Sequence, residues 1–525
     1  MPASFCNILQ NGTGRWRVWP SLGPTEGAVV RRHSPRHSHP HRTPRTRRAV
    51  RRAARSALAP LAAAGVLAAL LPSGGAAAAP AARAAGGDVI ANLWSWNWDS
   101  VAAECTDVLG PAGYGAVWVA PPAESLAHPD GAWWDIYQPY SYELNSRFGT
   151  REDFAAMTQA CADAGVAVYT DVVINHTAAQ TGTGYGGTQL TDKYEHAEYS
   201  RADYNVDVCD REISNYDDTW EVQNCELLGL PDLKTGSETV RNRITAYLND
   251  QIALGVSGFR VDAAKHIPAE DLAAIVSGLN PTADGSAPFV FFEVFPGTTP
   301  TPDEYFGSGR VLDFGFGDQL TSAFRSDIAQ LESFGDGLLP AEDSVSFVTN
   351  HDTERDGRHL SYRDGDTAVL ANVFQLGWDH GAPVTVYSGF TYRGNDDGPP
   401  SDASGYVTGT DCGNGWYCLD RDPRITGMVQ WRAAVGDAEV TRFQSPQSNV
   451  IGFARGEGFL AINNSDAAAT ASFSTGLPDG TYCDLLSGCA SEITVTGGQA
   501  TLSLPAKSAL AFHATAGIAG MTAGT

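Results

Sequence analysis

The sequence predicts an α/β protein built around a closed barrel of eight parallel strands with helices outside. The main observation is a series of eight short apolar, β-branched runs, separated in places by helical segments such as 152–163 and 238–252. Strands that are apolar along their whole length are typical of parallel sheets covered on both faces. The pattern therefore predicts a (β/α)8 TIM barrel. Its strands are expected at residues 89–96, 116–120, 166–174, 256–261, 289–294, 311–316, 345–348 and 384–387.

Two regions interrupt the barrel pattern. Residues 177–235 are rich in Gly, Thr, Tyr, Asp and Asn, and this is too long for an ordinary loop, so we expect an inserted subdomain after strand 3. Residues 436–515 contain short alternating segments between Gly and Asn turns, which predicts a C-terminal antiparallel β sandwich. The barrel would then consist of residues 86–176 and 236–435, and residues 516–525 would form a tail.

The composition indicates a globular, acidic protein. A hydrophobic content of 43% with 10% aromatic residues excludes intrinsic disorder. The chain has 35 Lys and Arg against 60 Asp and Glu, and this net charge of −25 argues against nucleic acid as a partner. Such a surface suits a soluble protein with an uncharged substrate, and salt tolerance is a second interpretation.

Residues 1–85 have the features of a leader with an export signal. A basic stretch at 51–55 precedes an Ala/Leu-rich run at 56–71. Small residues between about 78 and 87 provide possible cleavage sites for a signal peptidase. The run is too short to predict a membrane span, although a buried helix is an alternative. A translation start near Val50 would explain why residues 1–49 precede the basic stretch. A His-rich metal-binding tract within them and export by the twin-arginine route are further interpretations. We expect a secreted, extracellular protein without membrane contact after signal removal.

The cysteines are consistent with export. Eight of the nine lie beyond the leader, and an even number in an exported chain predicts disulfides, with free buried thiols as the alternative. Two pairs, 412/418 and 483/489, are near enough in sequence to close small loops.

Acidic residues recur where predicted strands end. These are Asp171, Asp262, Glu293 and Asp352. In this type of barrel the carboxyl ends of the strands face the catalytic mouth. Converging carboxyl groups suit glycosidic cleavage, in which one acid protonates the leaving oxygen and another attacks the sugar. Any one of them alone could be an ordinary surface or ion-paired acid, but four at successive strand ends favour a catalytic site.

The segments around these acids resemble the four signature regions of the α-amylase family of glycoside hydrolases. The stretch 258–266 (GFRVDAAKH) is the most specific match, and 171–176, Glu293 and 350–352 stand in the family's order. The resemblance covers about residues 88–515 and is closest to secreted bacterial and animal α-amylases. Further segments that carry it are 133–139, 229–233 and 481–484.

This resemblance implies a retaining mechanism with three catalytic residues. Asp262 would be the nucleophile, Glu293 the general acid/base, and Asp352 the residue that grips sugar hydroxyls and stabilises the transition state. Arg260, two residues before Asp262, would hold Asp262 ionised. A group of phenylalanines near Glu293 would raise its pKa. The two reacting carboxyl groups would lie roughly 5–5.5 Å apart. The phenylalanines are Phe291, Phe292 and Phe295.

The resemblance also implies a set of substrate-binding residues. Aromatic rings pack on the C–H faces of sugars, although Trp133 could equally be a core residue. His176 and His351 would donate hydrogen bonds to the sugar in the cleavage subsite, and Lys265 and His266 would bind glucose units beyond the scissile bond. The full set is Trp133, Trp134, Tyr137, Gln138, His176, Arg260, Lys265, His266 and His351.

A calcium site is the third implication. Its ligands would be Asn175, Asp232 and the backbone carbonyls of Gln223 and His266, all hard oxygen donors. The family commonly has Arg at the position of Gln223, and a carbonyl ligand tolerates that change. Because Asp232 lies in the inserted region, the ion would tie the subdomain to the barrel.

Chloride, in contrast, is not expected as a cofactor. One branch of the family holds this ion with two arginines and an asparagine. Arg260 and Asn350 match two of these positions, but Thr385 takes the third and supplies no cation. The resemblance further implies four disulfides, Cys105–Cys161, Cys209–Cys225, Cys412–Cys418 and Cys483–Cys489.

The expected function is that of a secreted α-amylase, a monomer that cleaves internal α-1,4 bonds of starch and maltooligosaccharides. A maltooligosaccharide-forming amylase or a transglycosylase on the same scaffold is the nearest alternative. A non-catalytic glycan-binding protein on an inactive barrel is the alternative from another class.

Overall fold

The computed structural model describes residues 87–128 and 131–514, together with the backbone of residues 9–11 and 15–17. The latter form one antiparallel pair, Leu9–Asn11 with Arg15–Arg17. The predicted apolar run of the signal, the cleavage region up to residue 86 and the tail at 516–525 lie outside the described residues. Within the described part, no helix is long and apolar enough to cross a membrane.

A closed parallel barrel forms the centre of the described chain. Eight strands pair in sequence order, and β7 pairs with β8 and β8 with β1 to close the ring. Their apolar runs are buried throughout, as expected for strands covered on both faces. The strands are β1 Val89–Leu93, β2 Ala116–Val119, β3 Ala167–Val172, β4 Val256–Val261, β5 Phe289–Phe292, β6 Arg310–Asp313, β7 Ser344–Phe347 and β8 Val384–Phe390.

Helices cover the outside of the barrel. The larger ones are α1 Trp98–Glu104, α2 Arg151–Asp163, α3 Glu238–Ala253, α4 Ala269–Ser277, α5 Phe314–Phe324, α6 Asp366–Gly377 and α7 Pro423–Val435. Thr150 and Asp153 form a reciprocal cap at the start of α2. The predicted strand at 311–316 is too long, because the Asp313 carboxylate accepts a hydrogen bond from the Phe316 N–H (3.3 Å) and caps α5 there.

The inserted region has little regular structure. It contains two short paired strands, Gly182–Thr183 and Gln189–Leu190, and the short helix Thr219–Val222. The buried Glu124 carboxylate accepts hydrogen bonds from the Gly186 (2.7 Å) and Thr188 (3.1 Å) N–H groups, which fixes this region to the loop after β2.

The C-terminal part is antiparallel, as predicted. It combines a four-stranded sheet with two smaller strand pairs, and Phe459, Phe473 and Phe512 pack in its apolar core. The strands are Val440–Gln447, Val450–Arg455, Gly458–Asn463, Ala469–Ser474, Gly480–Cys483, Glu492–Val495, Gln499–Leu504 and Ser508–His513. All four implied disulfides are present in the described chain.

Candidate active site

The acids that follow the strands meet at one end of the barrel around Arg260. This arginine lies on β4, is fully buried, and pairs in register with Asp171 on β3. Its Nη1 atom contacts Asp171 Oδ1 at 2.9 Å and Asp262 Oδ1 at 2.7 Å, and its Nη2 atom contacts Glu293 Oε1 at 2.8 Å. One guanidinium therefore joins three carboxyl groups from β3, β4 and β5.

This arrangement favours a proton on one of the acids. Three ionised carboxylates would outnumber the single buried cation, and unbalanced buried charge is costly. Burial raises the pKa of Glu293, and the negative charge of Asp262 raises it further, against the opposing effect of Arg260. The Ala263 N–H also donates to Glu293 Oε2 at 3.0 Å. For Asp262, the Arg260 guanidinium opposes the rise in pKa that burial causes. Arg260 opposes this rise in the pKa of Asp262 through a hydrogen bond as well as through its charge, so of these two acids Glu293 is the better suited to carry the proton.

The prediction that three phenylalanines surround Glu293 is only partly correct. Phe291 lies in the barrel interior, where its ring meets Trp118 edge to face at 5.4 Å. Phe292 points the other way, since neighbouring residues on a strand face opposite sides, and packs against Tyr305. Phe295 packs on Phe314 at 4.7 Å. The raised pKa of Glu293 comes from its burial and from Asp262.

Asp352 stands beside this group on the loop after β7. Its side chain is 36% exposed, and its Oδ2 atom lies 3.2 Å from His351 Nε2. Burial, with Arg260 and Arg355 nearby, holds the pKa of His351 well below its usual range. A neutral His351 can donate its Nε2–H to Asp352, which leaves the rest of this carboxylate open towards solvent.

An aromatic wall adjoins these acids. The His351 ring stacks on both Trp94 (4.7 Å, 6°) and Tyr137 (5.2 Å, 16°), and Trp133 meets Trp94 edge to face at 5.8 Å. The Tyr137 hydroxyl accepts from Trp94 Nε1 (3.2 Å) and donates to Asp171 Oδ2 (3.0 Å). Trp133 and Trp134 are both partly exposed. The wall thus offers aromatic surface next to the carboxyl groups, and it is fixed to them by hydrogen bonds.

Two residues of this wall were missed from the sequence. Trp94 directly follows β1, and this position at the end of a strand is the sequence feature that could have identified it. Arg355 is only 9% exposed, and its guanidinium carbon lies 3.9 Å from the ring centre of Tyr392 and 4.9 Å from that of Trp133. Its Nη1 atom donates to the Asn395 carbonyl at 3.0 Å. The Arg355 cation therefore packs against the rings of the aromatic wall and stabilises their arrangement.

Two predicted sugar donors are engaged by the protein itself. Lys265 Nζ donates to the Phe295 carbonyl (2.6 Å), the Thr298 carbonyl (3.0 Å) and the Thr298 hydroxyl (2.7 Å). These contacts use all three of its N–H groups, so Lys265 orders the loop after β5. His176 Nε2 donates to the Tyr137 carbonyl at 3.0 Å, and its Nδ1 accepts from Asn175 Nδ2 at 3.2 Å. In this structure both residues position others and have no donor left for a sugar.

The other expected substrate residues occupy partly structural positions. Gln138 is half-buried, and its Oε1 atom accepts from the Ala179 N–H at 3.2 Å. His266 is buried, with its Nδ1 atom 3.0 Å from the Val222 carbonyl.

The proposed calcium ligands lie on elements that contact one another. The Leu233 N–H donates to the Asn175 carbonyl at 2.9 Å, which places Asp232 beside Asn175. The contact between His266 and the Val222 carbonyl places Gln223 next to His266. Asp232 is buried, and in the described chain its carboxylate has a hydrogen bond from neutral Asn205 Nδ2 (2.8 Å) and no ion pair.

These residues fit a calcium ion, although no described cluster contains three His, Cys, Asp or Glu side chains. The expected set has one carboxylate, one amide and two carbonyls, and calcium accepts all of these. Because Asn175 Nδ2 is used by His176, the Oδ1 atom of Asn175 is the one left for a ligand. A buried carboxylate without a cationic side chain also favours a bound cation.

Together, the fold and the paired carboxyl groups at the ends of β4 and β5 are those of a barrel glycoside hydrolase. Comparison with known proteins narrows this class. The family described as "Alpha amylase, catalytic domain" matches residues 106–283, and "Alpha amylase, C-terminal all-beta domain" matches residues 441–515.

Individual relatives agree with these matches. An α-amylase of Streptomyces violaceus is 44% identical over 445 residues, which cover 83% of this chain and 75% of the relative. An α-amylase of Tenebrio molitor is 39% identical over 443 residues, 80% of this chain and 93% of the relative. A mutant of α-amylase I from Eisenia fetida, solved as a complex with maltohexaose, aligns with a TM-score of 0.76 at 32% identity, covering 81% of this chain and 97% of the relative.

The chain belongs to the α-amylase family of glycoside hydrolases, which cleave glycosidic bonds with retention of configuration. The predicted family, barrel fold and α-amylase activity are thereby confirmed.

Proposed function

We propose that Asp262, Glu293 and Asp352 cleave internal α-1,4 bonds of starch and maltooligosaccharides. Glu293 donates its proton to the glycosidic oxygen while Asp262 attacks the anomeric carbon and forms a covalent glycosyl-enzyme. Glu293 then removes a proton from water, which attacks the same carbon and releases Asp262. The observation that carries this proposal is the single guanidinium of Arg260 in contact with both Asp262 and Glu293. Asp352, held by His351, grips the sugar hydroxyls.

The products of a long linear maltooligosaccharide test this proposal against its alternatives. We expect several internal bonds to be cut early, with α-anomeric products by NMR, because retention requires two displacements. A single product length would indicate a maltooligosaccharide-forming enzyme, and products longer than the substrate would indicate transfer. No cleavage at all would favour a glycan-binding protein.

The proposal extends to the substrate, the location and the solution state of the enzyme. The maltohexaose bound to the Eisenia relative supports an oligosaccharide substrate. The four disulfides of the described chain support an extracellular location, since disulfides persist in oxidising surroundings. The enzyme acts as a monomer.

The family generally binds calcium. In this chain Asn175, Asp232 and the carbonyls of Gln223 and His266 would hold the ion. When bound, it supplies positive charge and rigidity where the inserted subdomain meets the barrel, and it takes no part in bond cleavage. Asn175 also donates a hydrogen bond to His176, which in turn donates to the Tyr137 carbonyl. By fixing Asn175, the ion would therefore also help to hold Tyr137 in the aromatic wall.

Activity without chloride is a further expected result. Thr385 on β8 is buried and neutral, and Arg260 already contacts three carboxyl groups, so an added anion would find little net positive charge. The enzyme should be dialysed into chloride-free acetate, and sodium chloride titrated back at fixed ionic strength. We expect constant turnover, and a several-fold saturable rise would contradict the assignment of Thr385.

A further inference from the structure

Trp220 is an unusual surface residue. Its side chain is 51% exposed, more than any other large apolar side chain in the described chain. No described residue forms a ring contact or side-chain hydrogen bond with its indole. Its backbone is nevertheless fixed, because the Trp220 N–H donates to Asp218 Oδ1 (3.0 Å) and its carbonyl accepts from Asn224 Nδ2 (2.8 Å). A bare aromatic face is therefore presented on an ordered helix.

The helix that carries Trp220 contacts the two loops that follow Asp262 and Glu293. Its last residue, Val222, accepts through its carbonyl from His266, which lies on the loop after Asp262. Its first residue, Thr219, contacts Thr299 through their hydroxyls at 2.5 Å, and Thr299 lies on the loop after Glu293. Both loops begin at the reacting carboxyl groups. Because Glu293 protonates the leaving oxygen, the chain that departs lies on the side of Glu293.

A second aromatic residue, Tyr216, lies four residues before Trp220 and contacts the loop after Asp262. The Tyr216 ring meets His266 edge to face at 6.4 Å, and Tyr216 precedes the helix by three residues. Contacts therefore run from the loop after Asp262 through His266 to Tyr216, and Trp220 follows Tyr216 by four residues. Glucose units bound beside His266 and Tyr216 would be nearest the cleaved bond, and units further along the departing chain would reach the indole of Trp220.

The surroundings favour an uncharged glucan as the occupant. Asp217 and Asp218 are exposed beside Trp220, and the whole chain has a net charge of −25, so anionic partners would be repelled. Glucose rings expose C–H faces that pack on indole, and their hydroxyls tolerate acidic neighbours.

We propose that Trp220 is a stacking platform for the leaving part of an α-1,4-glucan, beyond the units at His266 and Tyr216. This proposal rests on the catalytic assignment above. The platform would add affinity only when the departing chain is long enough to reach it, and it would make the enzyme prefer long glucans over short ones.

The test compares one long and one short substrate. Wild type, Trp220→Ala and Trp220→Phe are assayed on soluble amylose and on a maltotrioside with a small chromogenic leaving group. We expect Trp220→Ala to lower the ratio of kcat/KM on amylose to that on the maltotrioside by about three- to tenfold, mostly through KM, as the loss of one aromatic stacking contact predicts. Trp220→Phe should keep most of the ratio.

Leu228→Ala is the matched control. Leu228 is 46% exposed in the same inserted region, 177–235, but has no flat ring, so this variant should keep the wild-type ratio. An unchanged ratio in Trp220→Ala, or an equal loss in Leu228→Ala, would overturn the platform. Failure of the catalytic assignment would look different, because the wild type would then cleave neither substrate.

Discussion

Replacing Glu293 with glutamine is expected to remove nearly all hydrolysis while the protein stays folded and still binds oligosaccharide. The amide keeps the shape of the side chain and can keep the hydrogen bond from the Ala263 N–H. It cannot give a proton to the glycosidic oxygen, and general acid catalysis contributes about 10²–10⁴-fold. Turnover on soluble starch, thermal melting and calorimetric binding of maltohexaose measure the three parts of this result.

The wild-type pH profile provides a second readout of the same residue. Glu293 acts while protonated and its pKa is raised, so kcat/KM should fall as the pH rises through that pKa. Asp262 must be ionised, so activity should also fall on the acid side. Any residual activity of Glu293→Gln should lose the fall on the alkaline side, because the titrating group is gone.

Glu354→Gln is the control for this variant. Glu354 is also buried near the cleft, and burial raises its pKa to about 8, so it is already largely neutral at pH 7. Its Oε1 atom accepts from the Tyr387 hydroxyl at 2.9 Å, and an amide oxygen can replace it there. This variant should keep most of its turnover. If Glu293→Gln retained more than about a tenth of wild-type turnover, the acid/base assignment would be wrong.

The barrel and its catalytic acids could be predicted because their signals are local. Each strand is a short apolar run, and Asp262 and Glu293 each directly follow one, so the strand pattern alone places them at the same end of the barrel. The error at β6 is local too. The run at 311–316 is apolar throughout, and the cap that Asp313 provides is what ends the strand early.

Contacts between distant segments could not be predicted in the same way. Lys265 was expected to bind sugar, and nothing near it in the sequence indicates that Thr298, 33 residues later, accepts two of its hydrogen bonds. Arg355 is part of the site because its guanidinium packs on aromatic rings from three other loops, those of Trp94, Trp133 and Tyr392. Such roles depend on which loops meet after folding, and a single sequence holds no record of that.

Removing calcium should destabilise the enzyme by several kcal/mol and loosen the inserted subdomain first. At a free calcium concentration a thousandfold above the Kd, binding stabilises the native state by about 4 kcal/mol. Chelation would then lower the Tm by about 5–10 °C. The reason lies at Asp232, whose buried carboxylate has a hydrogen bond from neutral Asn205 and no ion pair in the described chain. Calorimetry with and without chelator, and hydrogen exchange across residues 177–235, would measure both effects.

Two aspartate variants separate the calcium site from a general effect of acidic residues. Asp232→Asn removes the only carboxylate of the expected ligand set, so its Tm should be low and should respond little to calcium. Asp207→Asn changes an acid of the same subdomain that is 69% exposed and pairs with Lys234 at 2.8 Å, and it should keep the full response. An unchanged melting curve of the wild type after exhaustive chelation, with its metal content measured as zero, would remove the basis for the site. Equal responses in the two variants would place the ion elsewhere, because of these two aspartates only Asp232 is buried and belongs to the proposed ligand set.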